Sequence, residues 1–126
     1  MAHDDDPRGT DAEDIGRFLP LTPAMFHVLV ALADGDKHGY AIMKEVEERT
    51  AGEVALSAGT LYGLVKRLLH DGLIAEPRRP RLGEERRRTY RLTGKGRAVA
   101  VAEANRLDRA LALARSKRLI GREATS

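Results

Sequence analysis

Apolar residues at Leu61, Leu64, Val65, Leu68 and Leu69 recur in steps of three and four, which lays a single stripe along one side of a helix. Ser57 ahead of them is a capping hydroxyl and Gly72 behind them a stop, so a helix is expected between the two. Upstream, Thr22-Pro23 joins a capping hydroxyl to a proline at the first helical position. Met25, Phe26, Val28, Leu29 and Leu32 then supply apolar mass for a helix over 24–33, which Asp34-Gly35-Asp36 ends. A second helix is expected to open at His38-Gly39-Tyr40 and run to about Arg49, with Ile42, Met43 and Val46 inward and Lys44, Glu45, Glu47 and Glu48 outward. Val54-Ala55-Leu56 is too short to classify and fits either a minor strand or an extension into the next helix.

After the striped helix the period changes. Leu73–Glu76 and Thr89–Leu92 read as two strands, and the polar stretch 77–88 between them is too long for a tight turn. Thr93 caps a last helix over about 94–118. Its Ala100, Ala104, Leu107, Leu111 and Ala114 alternate in steps of four and three, the period of a coiled-coil seam, with Val99, Val101 and Leu113 widening the stripe. Three helices followed by a hairpin with a basic tip make a mainly α fold with a small β-hairpin, a winged helix-turn-helix extended by a long C-terminal dimerisation helix. The expected boundaries are an acidic, disordered arm over 1–20, a winged-helix domain over 21–93 and the dimerisation helix over 94–120. Phe18 and Leu19 are the arm residues suited to tuck against the domain. Nothing upstream offers a second long helix to cover the seam, so a second copy of the chain is the expected lid, and folding back on its own domain is the alternative.

Composition narrows the classes. The chain has 126 residues, which suits one domain, and no cysteine, which removes disulfides and thiolate nucleophiles. No apolar run approaches the roughly 20 residues of a membrane span, and the acidic N-terminus lacks the regions of a signal peptide. A soluble cytoplasmic protein is expected. The net charge of +3 hides an asymmetry. Residues 1–20 carry six acids against two bases, whereas 75–97 carry nine bases against three acids, beside the striped helix. Basic charge concentrated there is the electrostatic footprint expected of a nucleic-acid binder.

Subtracting the apolar stripe leaves Ser57, Ala58, Gly59, Thr60, Tyr62, Gly63, Lys66 and Arg67 on the outer face. Small residues at a helix N-terminus let its free N–H groups approach phosphates, and hydroxyls reach base edges or phosphates. Thr60 and Tyr62 are the best candidates for base contact, with Ser57, Gly59, Lys66 and Arg67 around them, and Tyr40 opens the preceding helix where its hydroxyl can meet a phosphate. Arg78, Arg79, Arg86, Arg87 and Arg88 suit phosphate or minor-groove contact. The bland alternatives are a solvated Lys-Arg helix face, a packed aromatic at Tyr40 and a solvated arginine loop. Tyr90 reads as core on the inner face of the sheet. His3, His27, His38 and His70 fall in separate elements without ligand spacing, so no metal site is expected, and no nucleotide-binding loop or nucleophile with a nearby base is present. No cofactor is implied. An enzyme has no positive support, and the rival reading is a winged-helix protein–protein interaction module.

The residues together resemble the PadR family of transcriptional regulators. The resemblance rests on Leu21-Thr-Pro23, His38-Gly-Tyr-Ala-Ile42, Gly59-Thr-Leu-Tyr62 with Lys66-Arg-Leu68 and Asp71-Gly-Leu-Ile74, and Arg88-Thr-Tyr-Arg-Leu-Thr-Gly-Lys-Gly-Arg97, in family order and spacing over 21 to about 97. It implies a short-form dimeric winged-helix repressor on double-stranded DNA with a palindromic operator, with an apolar or aromatic effector held at the dimer interface. Tyr40, Thr60, Tyr62 and Lys66 match family residues that approach DNA, and Arg86 to Arg88 match the basic side of the wing. Ala58 and Gly63 depart from prolines common in the family, which loosens the first turn of the reading helix, and the absence of tryptophan removes a ligand site built on paired indoles.

Overall fold

The computed structural model describes residues 12–77 and 88–121. In chain order the elements are α1 (Ala12–Gly16), α2 (Pro23–Ala31), β1 (Lys37–His38), α3 (Gly39–Arg49), α4 (Ala58–His70), β2 (Ile74–Ala75), β3 (Thr89–Leu92) and α5 (Gly94–Ser116). The three caps read from the sequence are made. Thr22 Oγ1 accepts the Met25 N–H at 3.1 Å, Ser57 Oγ accepts that of Thr60 at 3.1 Å and Thr93 Oγ1 accepts that of Gly96 at 2.9 Å. Gly72 ends α4 with φ +76, its N–H bonded to the Leu69 carbonyl and the next N–H, of Leu73, to that of Leu68. That pair of bonds needs a left-handed residue, which glycine supplies without strain.

The core is the sum of the expected stripes. Val28 and Leu29 of α2 with its C-cap Leu32, Ile42 and Val46 of α3, and Leu61, Val65 and Leu68 of α4 converge on Leu73 just ahead of β2, Ile74 and Tyr90 from the sheet and Val99 from α5. Each fully buried aliphatic side chain contributes about 2 kcal/mol relative to exposure. The sheet has three strands in the order β1-β3-β2, both pairs antiparallel, with Ile74 opposite Leu92 and Lys37 opposite Tyr90. The hairpin strands were expected. β1 was not, since the expected helix opens at His38 and Lys37 falls in no expected element. Its two residues gain strand geometry only from β3, and His38 serves as strand end and N-cap of α3 at once. Val54-Ala55-Leu56 forms neither strand nor helix. The segment is held instead by Thr50, whose Oγ1 accepts the Val54 N–H at 3.0 Å.

The arm corrects the expectation of disorder where it is described. Residues 12–16 form a short helix against α5, with Ile15 buried, while 1–11 lie outside the described residues. Phe18 packs on the core with two cations over its ring, Arg17 Cζ at 4.7 Å and Lys95 Nζ at 5.0 Å from the ring centre. Beside this strap lies Glu103 of α5, 2 % exposed, gripped by Arg106 Nε and Nη2 at 2.8 and 2.7 Å. Arg106 holds the Glu103 carboxyl below its ordinary value, burial opposes the shift, and the backbone of Leu21 adds to the lowering. A depressed carboxyl stabilises the fold fully above its unfolded pKa and loses that contribution as pH falls through the folded value. Thermal melts should therefore separate wild type from Glu103→Gln by several degrees at neutral pH. The gap should narrow below about 4.5, the ordinary glutamate value. A gap unchanged by acid would remove the charge from the explanation.

Candidate nucleic-acid interface

α3 and α4 form the helix-turn-helix pair, and the caps and the glycine stop described above fix the length of α4. With Leu61, Val65 and Leu68 turned inward, Gly59, Thr60, Tyr62, Gly63, Lys66 and Arg67 face solvent together, as expected. Ser57 is committed at both ends of its hydroxyl. It accepts from the Thr60 N–H and donates to Thr60 Oγ1 at 3.0 Å, which leaves the Thr60 proton to donate outward. Arg67 Nε lies 3.2 Å from Asp71 Oδ2, so its guanidinium is steadied along the helix, and Lys66 is exposed beside it. Tyr40, 70 % exposed at the first turn of α3, is not a packed aromatic. Tyr62 is 43 % exposed, and its phenol leans across onto the same turn.

The base of the wing is organised by residues that the sequence reading passed over. Arg88 Nη1 is 2.8 Å from Glu76 Oε2, which ties the returning strand to the departing one where the basic loop begins. His38 Nδ1 lies 3.4 Å from the Arg88 carbonyl oxygen and 3.3 Å from Thr89 Oγ1, a geometry met by one N–H shared between two oxygens. Arg91 makes two bonds to Asp36, at 3.2 and 3.0 Å, and locks β3 to the turn after α2. Tyr90 is 2 % exposed, as expected of a core residue, and its phenol pKa is raised by burial first, then by Glu76 and Tyr62. Arg88 is thus the one proposed wing residue placed by the fold, while Arg78, Arg79, Arg86 and Arg87 lie outside the described residues. These supporting partners sit 12 to 55 positions apart in the chain, beyond any helical spacing that would announce them.

The expected seam divides. Ala104, Leu107 and Leu111 are exposed and Ala114 half-buried, whereas Ala100 packs partly against the core of its own head. Val99 is buried in that core and Val101 is 52 % exposed, which corrects their placing on one stripe. Two residues apart on a helix they are turned about 200° from each other. No helix among the described residues is long and apolar enough to cross a membrane.

A three-helix head with an antiparallel wing base and a long trailing helix defines a winged helix-turn-helix regulator. The chain belongs to the PadR-like family of transcriptional regulators, whose family model matches residues 28–102. An uncharacterised 37.1 kDa protein in transposon TN4556 of Streptomyces fradiae is 38% identical over 86 residues, which are 68% of this chain and 23% of that protein, so the chain spans under a quarter of that relative's length. A PadR family transcription regulator from Clostridium difficile superposes with a TM-score of 0.62 at 26% identity, over 73% of this chain and 94% of its own. Bacillus subtilis PadR, solved in complex with operator DNA, shares the fold at 20% identity with a TM-score of 0.56, over 70% of this chain and 48% of its own.

Proposed function

We propose that this chain is a homodimeric, sequence-specific DNA-binding repressor. The observation that carries the reading is the solvent-facing half of α4, with Thr60 and Arg67 along one flank and Tyr62 and Lys66 along the other, beside the exposed Tyr40 of α3. Hydroxyls there reach bases or phosphates and the cations hold the backbone, while the arginines of the wing loop extend the contact to neighbouring phosphates. Pairing through α5 sets two such faces about one helical turn of DNA apart, roughly 34 Å, on a palindromic operator. A small apolar molecule between the terminal helices releases the operator by tilting the heads, through its differential affinity for the two arrangements.

The test is gel-shift titration against the DNA upstream of the protein's own gene. Wild type should bind that duplex in preference to an unrelated one and weaken with rising salt at a log–log slope near −0.9 per phosphate contacted. Tyr62→Ala should lose sequence preference by about tenfold, roughly 1.4 kcal/mol. Changing Arg86, Arg87 and Arg88 together to alanine should lower affinity for every duplex and flatten the salt slope. Indifference to duplex DNA in dilute buffer would overturn the reading and favour a protein-interaction module.

A further inference from the structure

Tyr62 does not stand straight out from α4. A Cβ placed on Gly39 would fall 2.7 Å from the Tyr62 Oη, 3.1 Å from its Cζ and 3.3 Å from Leu61 Cδ2. The phenol therefore lies directly on the bare Cα of the first residue of α3, in space that every other amino acid fills. Gly39 is buried, and its φ is not among the positive values that explain the glycines at 35, 52 and 72. Its conformation suits an alanine, and the first helical turn favours one. What keeps glycine's shape in use here is the ring laid across it.

We propose that Gly39 is a specificity-determining position of the DNA interface: its missing side chain seats the Tyr62 phenol on α3 and so fixes where the hydroxyl meets DNA. The proposal rests on the DNA-binding reading above. The seat joins the two helices of the motif. Tyr62 rises from α4, rests on α3, and brings its hydroxyl to the turn that carries the exposed Tyr40. A tyrosine free at both side-chain torsions would spread its hydroxyl over several positions, and ordering it at the moment of binding would cost affinity. Docking on Gly39 removes that freedom beforehand. The seat is also selective against size, because a single methyl group at position 39 meets the hydroxyl end of the ring, which moves by side-chain rotation with the backbone left in place.

A double-mutant cycle on the full chain tests the pairing, with operator affinity and preference over an unrelated duplex as readouts. Gly39→Ala should keep the thermal midpoint within a few degrees of wild type and lower operator affinity about tenfold, which is roughly 1.4 kcal/mol. In a Tyr62→Ala background the same change should alter affinity by less than about twofold, because no ring remains to displace. Tyr62→Phe beside Gly39→Ala should recover part of the thermal stability, since the atom nearest the new methyl is gone. If wild type binds no DNA, the functional reading falls and this inference with it. If wild type binds and Gly39→Ala binds equally well, or loses as much with Tyr62 absent as with it present, the inference alone is overturned.

Discussion

Gly96→Ala is expected to cost the largest part of the stability of the head. A Cβ on Gly96 would lie 1.9 Å from the Leu73 carbonyl oxygen, 2.8 Å from its carbon and 2.9 Å from Leu92 Cδ1. Two of these are backbone atoms that cannot rotate away. Leu73 is held at both ends, its N–H bonded to the Leu68 carbonyl as α4 closes and its own carbonyl accepting the Thr93 N–H at 3.2 Å. Relief therefore requires α5 to lift off the sheet, which would open the core around Val99 and strain the Thr93 cap. Overpacking of this kind costs about 3 kcal/mol or more against a net stability of roughly 5–15. A fall in melting midpoint of at least about 12 °C follows for a domain of this size. Gly63→Ala is the control, since its Cβ meets nothing within 4 Å and a helix interior prefers alanine by roughly 0.5–1 kcal/mol. Circular-dichroism melts should move in opposite directions for the two, and a Gly96→Ala protein melting with wild type would show that α5 is not seated as described.

The contrast between those two glycines marks how far the sequence could be read. Capping hydroxyls at Thr22, Ser57 and Thr93 act on N–H groups three residues away, and the stripes of α3 and α4 repeat within a few turns, so local pattern located α2 to α5 and most of the core. β1 had no such signal, since its two residues become a strand only by pairing with Tyr90 and Thr89 half the chain away. α1 hides a single buried isoleucine among acids, which looks like a solvated tail until α5 is placed beside it. Glu103 follows Val99 by four positions, so a charge on the buried side of α5 was legible, but not the Arg106 and Leu21 groups that satisfy it. At the interface, the sequence showed which side chains α4 turns outward. The seat under Tyr62 and the Glu76 anchor of Arg88 arise from the approach of separate elements and carry no local pattern.

Charging the open part of α5 is expected to have the largest effect on DNA affinity. The helix has 23 residues and is about 35 Å long, and α1 and α2 pack against it. Beyond Arg106 it carries Leu107, Leu111 and Leu113, which are 40, 37 and 64 % exposed, with small Ala104 and Ala114 in step with the first two. Leu107 and Leu111, one turn apart, form an exposed apolar patch with those two alanines on a side from which Leu113 is turned away, and a second α5 offers the matching one. Leu107→Glu combined with Leu111→Glu sets carboxylates in that seam, where two copies would bury like charges against each other. Light scattering should then report a dimer for wild type and a monomer for the double variant, while the melt of the head stays close to wild type, because neither leucine reaches the core around Val99. Operator affinity should fall by about 10² to 10⁴, the gain that two linked heads hold over one, with the preference of each head for its half-site retained. A double variant that remains dimeric, or a monomer that binds the full operator as tightly as wild type, would show that pairing through this helix is not what places two reading faces on DNA.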